Sequence, residues 1–319
     1  MTGGRVDVCL ASSSGGHLEL LLALRGAYEH RSHAFVTLPG RQADDLRATG
    51  AAVVTVTNPW RSPLKLARNL AQAAAAAWRL RPRTVVCTGA GATVPFALVA
   101  RALGARLVFV ETMARVHGGS LSGRILYRFA HHFLVQWPEL LAAYPRAEVC
   151  RPALLEALGT ANGGTGTFIA TGTHGQPFDR LLRLADEAAQ AGLLPEPIVA
   201  QGGPATYRPR AFDVVPSLQP EEVRRAIGSS AVVVSHGGSG LVSLALRCGR
   251  RPLVLPRLRE HGEHLDDHQV ETTAKLADLG LVVALDRTPL ADAVRLGLRP
   301  PAGAVAPGPR LVDRLRELV

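Results

Sequence analysis

The chain alternates short apolar segments with amphipathic ones, and it does so twice within 319 residues. Repeated strand–helix alternation indicates a parallel sheet with helices on both faces. A glycine-rich stretch at 159–166 separates the two series. The sequence therefore predicts two α/β, Rossmann-like domains at 1–155 and 166–319, facing across a cleft, with the tail helix 310–319 a candidate to pack back on the first domain. Strands are expected at 6–11, 33–37, 52–56, 84–88, 106–111, 167–170, 197–200, 214–215, 231–235, 252–255 and 282–285, and helices at 18–28, 63–80, from 92 to 103, 178–191, 268–279 and 310–319.

The charge and composition of the chain limit the kinds of ligand that it is expected to bind. The formal charge is +10 and nearly all of it is arginine, a balance that suits anionic lipids or phosphate-bearing ligands. Nucleic acid is not an expected partner, because no nucleic-acid-binding motif accompanies the charge. No apolar run is long enough to span a bilayer and no signal peptide is recognisable, so we expect a cytoplasmic protein. The four cysteines are far apart and form no CxxC pair, which favours buried, reduced thiols.

Two glycine-rich turns lie between a predicted strand and a predicted helix, at 13–18 (SSGGHL) and 235–240 (SHGGSG). Glycines at such a position let backbone amides approach an anion, and the helix dipole adds attraction. The second turn is neither GxGxxG with a following acidic residue nor a Walker loop, which argues against NAD binding and ATP hydrolysis. We expect it to hold a diphosphate, while His17 in the first turn can exchange a proton near neutral pH.

A polar segment at 262–269 (GEHLDDHQ) follows a strand of the second half, and its side chains suit ribose and sugar hydroxyls. His261, His264 and His268 admit a zinc interpretation, but their HxxHxxxH spacing is not that of the HExxH metallohydrolases. No DxD motif exists to hold a metal with a nucleotide. We therefore expect no metal and no cofactor.

Two features of the first half point to an acceptor. Glu111 ends a predicted strand, where a carboxylate suits acid–base work or hydroxyl binding, or simply caps a helix. Residues 121–144 and 61–83 combine arginines with apolar and aromatic residues, as do segments that contact lipid headgroups. We interpret much of both stretches as amphipathic helix and predict contact with a membrane surface.

Together these motifs resemble a known family. Residues 13–18, 111–116 (ETMARV), 120–124 (SLSGR) and 135–140 (VQWPEL) resemble the acceptor-side subunit of two-subunit bacterial exopolysaccharide β-1,4-glucuronosyltransferases, which is related to the membrane-anchor subunit of the eukaryotic dolichol-diphosphate N-acetylglucosaminyltransferase. Residues 171–173 (TGT), 176–181 (QPFDRL), 235–240 and 262–269 resemble the donor-side subunit. Nearly the whole chain is covered, in the order expected of a fusion of the two subunits.

The resemblance implies the GT-B fold of glycosyltransferase family 28 and an inverting transfer. The donor would be a UDP-sugar (glucuronate or N-acetylglucosamine), and the acceptor a polyprenyl-diphosphate-linked saccharide at the inner face of the plasma membrane. Leu244 stands where the wider family often has a ribose-binding glutamate, so that contact falls to another residue such as Gln269.

Candidate residues follow from the motifs and the resemblance. His17 is the first candidate for catalytic base and Glu111 the second, and Arg257 or Arg259 could pair with a uronate. The candidates for acceptor binding are Ser14, Gly15, Gly16, Gly89 and Arg115. The candidates for donor binding are Thr171, Gly172, Thr173, Gln201, Gly202, Gly203, His236, Gly237, Gly238, Ser239, Gly240, Arg257, Glu263, His264, Asp267 and Gln269.

Two alternatives remain open at this point. A nucleotide-sugar epimerase or hydrolase could use the same fold without a lipid acceptor. A non-catalytic partner subunit would bind a nucleotide sugar without turnover.

Overall fold

The computed structural model describes residues 5–59, 62–161, 163–172, 175–303 and 307–319. The chain forms two compact α/β units: unit 1 is Met1–Ala153 with Ala306–Val319, and unit 2 is Leu154–Val305.

Unit 1 is built on a seven-stranded parallel sheet with the strand order β3-β2-β1-β4-β5-β6-β7. The strands are β1 Val8–Ser12, β2 His33–Thr37, β3 Ala52–Thr55, β4 Thr84–Gly89, β5 Arg106–Val110, β6 His132–Val135 and β7 Glu148–Val149. The helices are α1 Gly16–Ala23, α2 Arg41–Ala48, α3 Pro63–Leu80, α4 Val94–Ala102 and α5 Leu121–Leu126.

Both faces of this sheet are buried, as its unbroken apolar strands require. Alternate residues of β1 enter different cores: Cys9 and Ala11 pack with α3, α4 and α5, whereas Val8 and Leu10 pack with α1. The longest helix, α3, begins at Pro63 after Ser62, whose hydroxyl accepts from the Lys65 amide, and it ends at a left-handed Arg81.

Unit 2 repeats the plan with six parallel strands in the order β10-β9-β8-β11-β12-β13. The strands are β8 Thr167–Ala170, β9 Ile198–Gln201, β10 Val214–Val215, β11 Val232–His236, β12 Leu253–Leu255 and β13 Val283–Ala284. The helices are α6 Asp179–Gln190, α7 Pro220–Ser229, α8 Ser239–Arg247, α9 His268–Asp278 and α10 Leu290–Gly297. The last helix, α11 Leu311–Leu318, packs in unit 1 on the α1 side of the sheet through Leu311 and Leu315.

The structure differs from the predicted elements mainly at 121–144. This stretch is not an amphipathic helix: α5 has six residues, and a buried strand, β6, follows it. Of the four cysteines predicted to be buried thiols, Cys9, Cys87 and Cys150 are buried and Cys248 is half-buried, and none forms a disulfide. Among the described residues, no helix has both the length and the hydropathy needed to cross a bilayer.

Candidate functional site

Each sheet has a point at which the strand order reverses, because the connections after two neighbouring central strands run toward opposite sides of the sheet. These strands are β1 and β4 in unit 1, and β8 and β11 in unit 2. Ligands of open α/β sheets bind outside the carboxyl ends of the strands at such a switch point. Both glycine-rich turns of the sequence lie there, since one follows β1 and the other follows β11.

His17 is held at the unit 1 switch point by the end of β4. Its Nδ1 lies 2.7 Å from the Thr88 carbonyl oxygen, and the Thr88 hydroxyl donates to the His17 carbonyl at 3.2 Å. A carbonyl can only accept, so Nδ1 carries the hydrogen and the lone pair of a neutral ring is on Nε2. This tautomer suits a ring that takes a proton through Nε2.

Gly89, an acceptor-binding candidate, lies beside this histidine. A Cβ at Gly89 would lie 3.6 Å from His17 Cε1 and 3.5 Å from the Ser122 Cβ, and its φ of +88° favours glycine. Ser122 was not predicted as part of the site. Its approach depends on how α5 packs, which no local pattern reveals.

The first turn is less suited to an anion than its glycines suggested. Ser14, Gly15 and Gly16 are exposed, but the Gly15 amide donates to Gln42 Oε1 at 2.7 Å. The Gln42 amide in turn donates to Glu19, which lies in the first turn of α1. A carboxylate at a helix N-terminus interacts with the positive end of the helix dipole, and it therefore competes with a phosphate for that position.

Glu111 accepts several hydrogen bonds within the protein. It is wholly buried, and its carboxylate accepts from the Ser120 amide (3.1 Å), the Ser120 hydroxyl (2.9 Å), the Thr112 amide (3.1 Å) and the Tyr144 hydroxyl (3.3 Å). Burial raises the pKa of Glu111, and these hydrogen bonds oppose the rise. A general base must reach the proton it removes. In this position Glu111 anchors the 111–120 loop, which also carries the half-buried Arg115, and its role as second candidate for the base stays a prediction.

At the unit 2 switch point, three loops approach each other at distances that only glycine permits. A Cβ at Gly172, whose φ is +86°, would lie 2.5 Å from His236 Cε1. A Cβ at Gly238 would lie 2.8 Å from His236 Cδ2, and one at Gly203 would lie 2.7 Å from the Gly172 carbonyl oxygen. The His236 ring thus lies close against two glycine backbones, those of Gly172 and Gly238. Thr173 lies outside the described residues.

Several donor-binding candidates in this region support the loops. The amides of Gly202 and Gly203 donate to the carbonyls of Val215 and Pro216, and buried Thr171 donates from its amide to the Gln201 carbonyl. The Gln201 side chain accepts from the Leu218 amide at 3.1 Å. These hydrogen bonds within the protein fix the shape of the loops, so the backbone groups that form them already have partners.

The start of α8 has the character of an anion site. Gly238 is its N-cap and supplies no side-chain hydrogen bond, so the first amides of the nine-residue helix, at Ser239 and Gly240, are not capped by a side chain. Its first turn contains no acidic residue. Uncapped amides and the positive end of the helix dipole attract an anion.

Arg257 does not have the role predicted for it. Its guanidinium is wholly buried and donates to three carbonyls, those of Thr171 (2.7 Å), Gln176 (2.9 Å) and Glu263 (2.8 Å). It also lies over the Phe178 ring. Pairing with a uronate is therefore contradicted at this residue, which instead ties the end of β8 to the 257–263 loop.

Glu263 likewise has a structural role instead of donor binding. Its carboxylate forms a fork with Arg180 at 3.0 and 2.8 Å and accepts from the Leu258 amide at 2.9 Å. Arg180, 83 residues earlier, was not singled out as a functional residue. A motif match at 176–181 was the only signal for it.

The remaining candidates lie on the same segment. Asp267 accepts from the Arg259 amide at 2.8 Å, and Gln269 accepts from the Arg257 amide at 3.1 Å. The Gln269 side chain also packs beside Gly237, since a Cβ there would lie 3.1 Å from the Gln269 Cβ. His264 approaches Asp266, with its Nδ1 3.2 Å from Oδ1.

Residues 52–152 match the family model "Oligosaccharide biosynthesis protein Alg14 like". The chain is 40% identical over 75 residues to the UDP-N-acetylglucosamine transferase subunit ALG14 of Rattus norvegicus, a match that covers 22% of this chain and 35% of that protein. The chain thus spans about a third of the length of this curated relative. It is also 30% identical over 157 residues to the UDP-N-acetylglucosamine–N-acetylmuramyl-(pentapeptide) pyrophosphoryl-undecaprenol N-acetylglucosamine transferase of Halorhodospira halophila, covering 44% of this chain and 42% of that one.

Solved structures match over the whole length. MurG of Acinetobacter baumannii is 17% identical with a TM-score of 0.65, covering 98% of this chain and 99% of that one. The UDP-GlcNAc 2-epimerase of Methanocaldococcus jannaschii is 12% identical with a TM-score of 0.68, covering 98% and 99%. Together with the two parallel α/β units, these structural similarities give the chain the GT-B fold.

Proposed function

We propose that the chain is an inverting glycosyltransferase. It would move a sugar, either glucuronate or N-acetylglucosamine, from a UDP-sugar to a polyprenyl-diphosphate-linked saccharide at a membrane surface. The observation that carries the proposal is the turn after β11, where the His236 ring lies close against Gly172 and Gly238 and α8 begins without a side-chain cap.

Unit 2 would bind the donor. The diphosphate would lie against the amides of Ser239 and Gly240, with His236 beside it. Preorganised amides aimed at developing charge are among the larger contributions to catalysis of group transfer. Gln269, next to Gly237, is the nearest candidate for a ribose or sugar hydroxyl.

Unit 1 would supply the base. His17 Nε2 would take the proton of the acceptor hydroxyl while that oxygen forms a bond to the anomeric carbon. The bond between that carbon and the donor's phosphate oxygen breaks, and UDP leaves with both electrons of that bond. The hydrogen bond from Nδ1 to the Thr88 carbonyl would fix the ring and favour its protonated state during transfer. The transfer drawn in this way uses no metal ion or cofactor.

The α3–α5 side of unit 1 is suited to a membrane. On α3, Leu66, Leu70 and Trp78 recur at four-residue multiples and are 43%, 46% and 62% exposed. On α5, which packs into the same core as α3, and just after it, Leu121 and Phe129 are also exposed. The exposed basic residues of the same segments are Lys65, Arg68, Arg79, Arg81, Arg124 and Arg128. Apolar side chains ringed by arginines favour anionic headgroups.

A transfer assay tests the proposal. The full chain is incubated with a panel of labelled UDP-sugars and polyprenyl-diphosphate saccharides, with and without chelator. We expect a glycolipid product that depends on the acceptor, that survives the chelator, and that is lost in His17→Ala. Activity that vanishes with chelator and returns with magnesium would contradict the metal-free mechanism.

The same assay without acceptor distinguishes the alternatives. The similarity to a UDP-GlcNAc 2-epimerase makes an epimerase the second candidate, and it would convert the nucleotide sugar alone. A partner subunit, as the ALG14 relatives are named, would bind the donor and leave it unchanged.

A further inference from the structure

Three side chains of unit 2 bring atoms that could bind a metal ion close together. The atoms are His264 Nδ1, Asp266 Oδ1 and His268 Nδ1, and the three residues offer atoms within 4.8 Å of one another. The histidine pattern considered in the sequence analysis lies here, but with His261 as its third member. The structure replaces His261 with Asp266, since His261 instead approaches Glu260 at 3.8 Å.

The distances suit a small divalent ion. His264 Nδ1 lies 3.2 Å from Asp266 Oδ1, and His268 Nδ1 approaches the same oxygen. Ligands that bind zinc at about 2.0–2.1 Å in a tetrahedron lie about 3.4 Å apart. Small side-chain rotations, with no movement of the chain, would therefore open the cluster around an ion.

Existing hydrogen bonds already link the three residues. The Asp266 amide donates to His264 Nδ1 at 3.3 Å, and a proton between His268 Nδ1 and the Asp266 carboxylate holds those two atoms together. An ion that binds all three atoms would replace both hydrogen bonds, because each imidazole nitrogen has a single lone pair to give.

We propose that His264, Asp266 and His268 form a binding site for Zn²⁺ or a similar borderline divalent ion. Two imidazoles and one carboxylate favour zinc over magnesium or calcium, which prefer oxygen ligands. The side chains of the three residues are 14%, 41% and 20% exposed, so an ion can enter and would keep a position for water. The site does not depend on the proposed transfer, in which no metal takes part.

Calorimetric titration of the chelator-treated full chain with ZnCl₂ tests the site. We expect one ion per chain, and an affinity at least about 100-fold weaker in His264→Ala and His268→Ala. Asp266→Asn, which keeps the shape and removes the charge, should weaken binding as well. His261→Ala is the matched control, because it removes a histidine three residues away that lies outside the cluster, and its affinity should equal that of the wild type.

Cobalt provides a second readout that does not depend on activity. Co²⁺ bound by nitrogen and oxygen in four-coordinate geometry absorbs visible light strongly, and we expect this band in the wild type and His261→Ala only. Thermal unfolding of the metal-free proteins is the folding control. Variants that unfold at the same temperature as the wild type are still folded, so a missing cobalt band then reports a lost metal site. Equal zinc affinity in wild type and in the His264 and His268 variants would overturn the proposal. So would a larger loss in His261→Ala, or magnesium binding as tight as zinc.

Discussion

Gly238→Ala tests the turn after β11 with a single methyl group. Gly238 has φ −71° and ψ 125°, a conformation open to alanine, so the backbone itself does not oppose the change. The new Cβ, however, would lie 2.8 Å from His236 Cδ2, whereas ordinary contact begins at 3.4 Å. The Gly172 backbone also contacts the ring, since a Cβ there would lie 2.5 Å from His236 Cε1, and this contact limits how far the ring can move. Either the ring or the start of α8 must move.

The size of the effect follows from overpacking. An extra methyl group in a filled site costs typically about 1–3 kcal/mol. If this free-energy cost must be met when the turn binds UDP, the affinity for UDP drops about 5- to 150-fold. Removing the ring relieves the clash, so His236→Ala in the Gly238→Ala background should bind UDP no worse than His236→Ala alone.

Isothermal titration with UDP measures all three variants. Gly228→Ala in α7 is the control: a Cβ there meets nothing within 4 Å, and it should leave UDP binding unchanged. Wild-type affinity in Gly238→Ala would refute the claim that this turn holds the diphosphate. Equal losses from the Gly238→Ala change with and without His236 would refute the role of the ring.

Four further predictions concern other parts of the chain. His17→Ala should lower kcat about 10²–10⁴-fold while the Kd for UDP is unchanged, and an equal loss of UDP affinity would contradict the assignment of the base. Glu111→Gln should lower the stability of unit 1 by about 1–3 kcal/mol in thermal unfolding, because it replaces one acceptor of the buried hydrogen bonds with a donor, and a fully stable variant would contradict its anchoring role. Burial raises the pKa of Asp186, but hydrogen bonds from the Tyr207 hydroxyl and the Ala211 and Arg210 amides lower it to about 2, so its stabilisation is present above pH ~4 and is lost as the pH falls toward 2. Protection of the 207–211 amides from hydrogen exchange, measured relative to the intrinsic rate at each pH, should therefore fall over that pH range, and Asp186→Asn should flatten the dependence. Leu70→Ser with Trp78→Ser should weaken sedimentation with anionic vesicles, whereas Leu298→Ser, an equally exposed site in unit 2, should not.

The repeating α/β architecture is readable from local patterns because each buried strand needs a continuous apolar run. The strands His33–Thr37 and Thr167–Ala170 and the helix Pro63–Leu80 have the predicted bounds. The stretch 121–144 was misread because a buried strand flanked by aromatic residues and arginines has the composition of an amphipathic helix. Its apolar residues, such as Phe133, face the sheet core.

The roles of charged residues were harder to predict. Glu111 was interpreted as a catalytic group because a carboxylate at the end of a strand suits acid–base work, and Arg257 as a binding group because an arginine fork matches a carboxylate. Their partners, Tyr144 for Glu111 and the Thr171 carbonyl for Arg257, lie 33 and 86 residues away in sequence. Only the folded chain brings these partners close, so a single sequence cannot separate a buried anchor from a catalytic group. Glycines alone did not settle the matter either, because the two glycine-rich turns differ: Gln42 and Glu19 lie at the turn after β1, whereas the first turn of α8 has no acidic residue.

A crystal structure of the full chain with bound UDP would show where the donor's diphosphate lies. We expect it against the amides of Ser239 and Gly240, with the His236 ring beside it. UDP bound elsewhere in the chain, with this turn empty, would contradict this expectation.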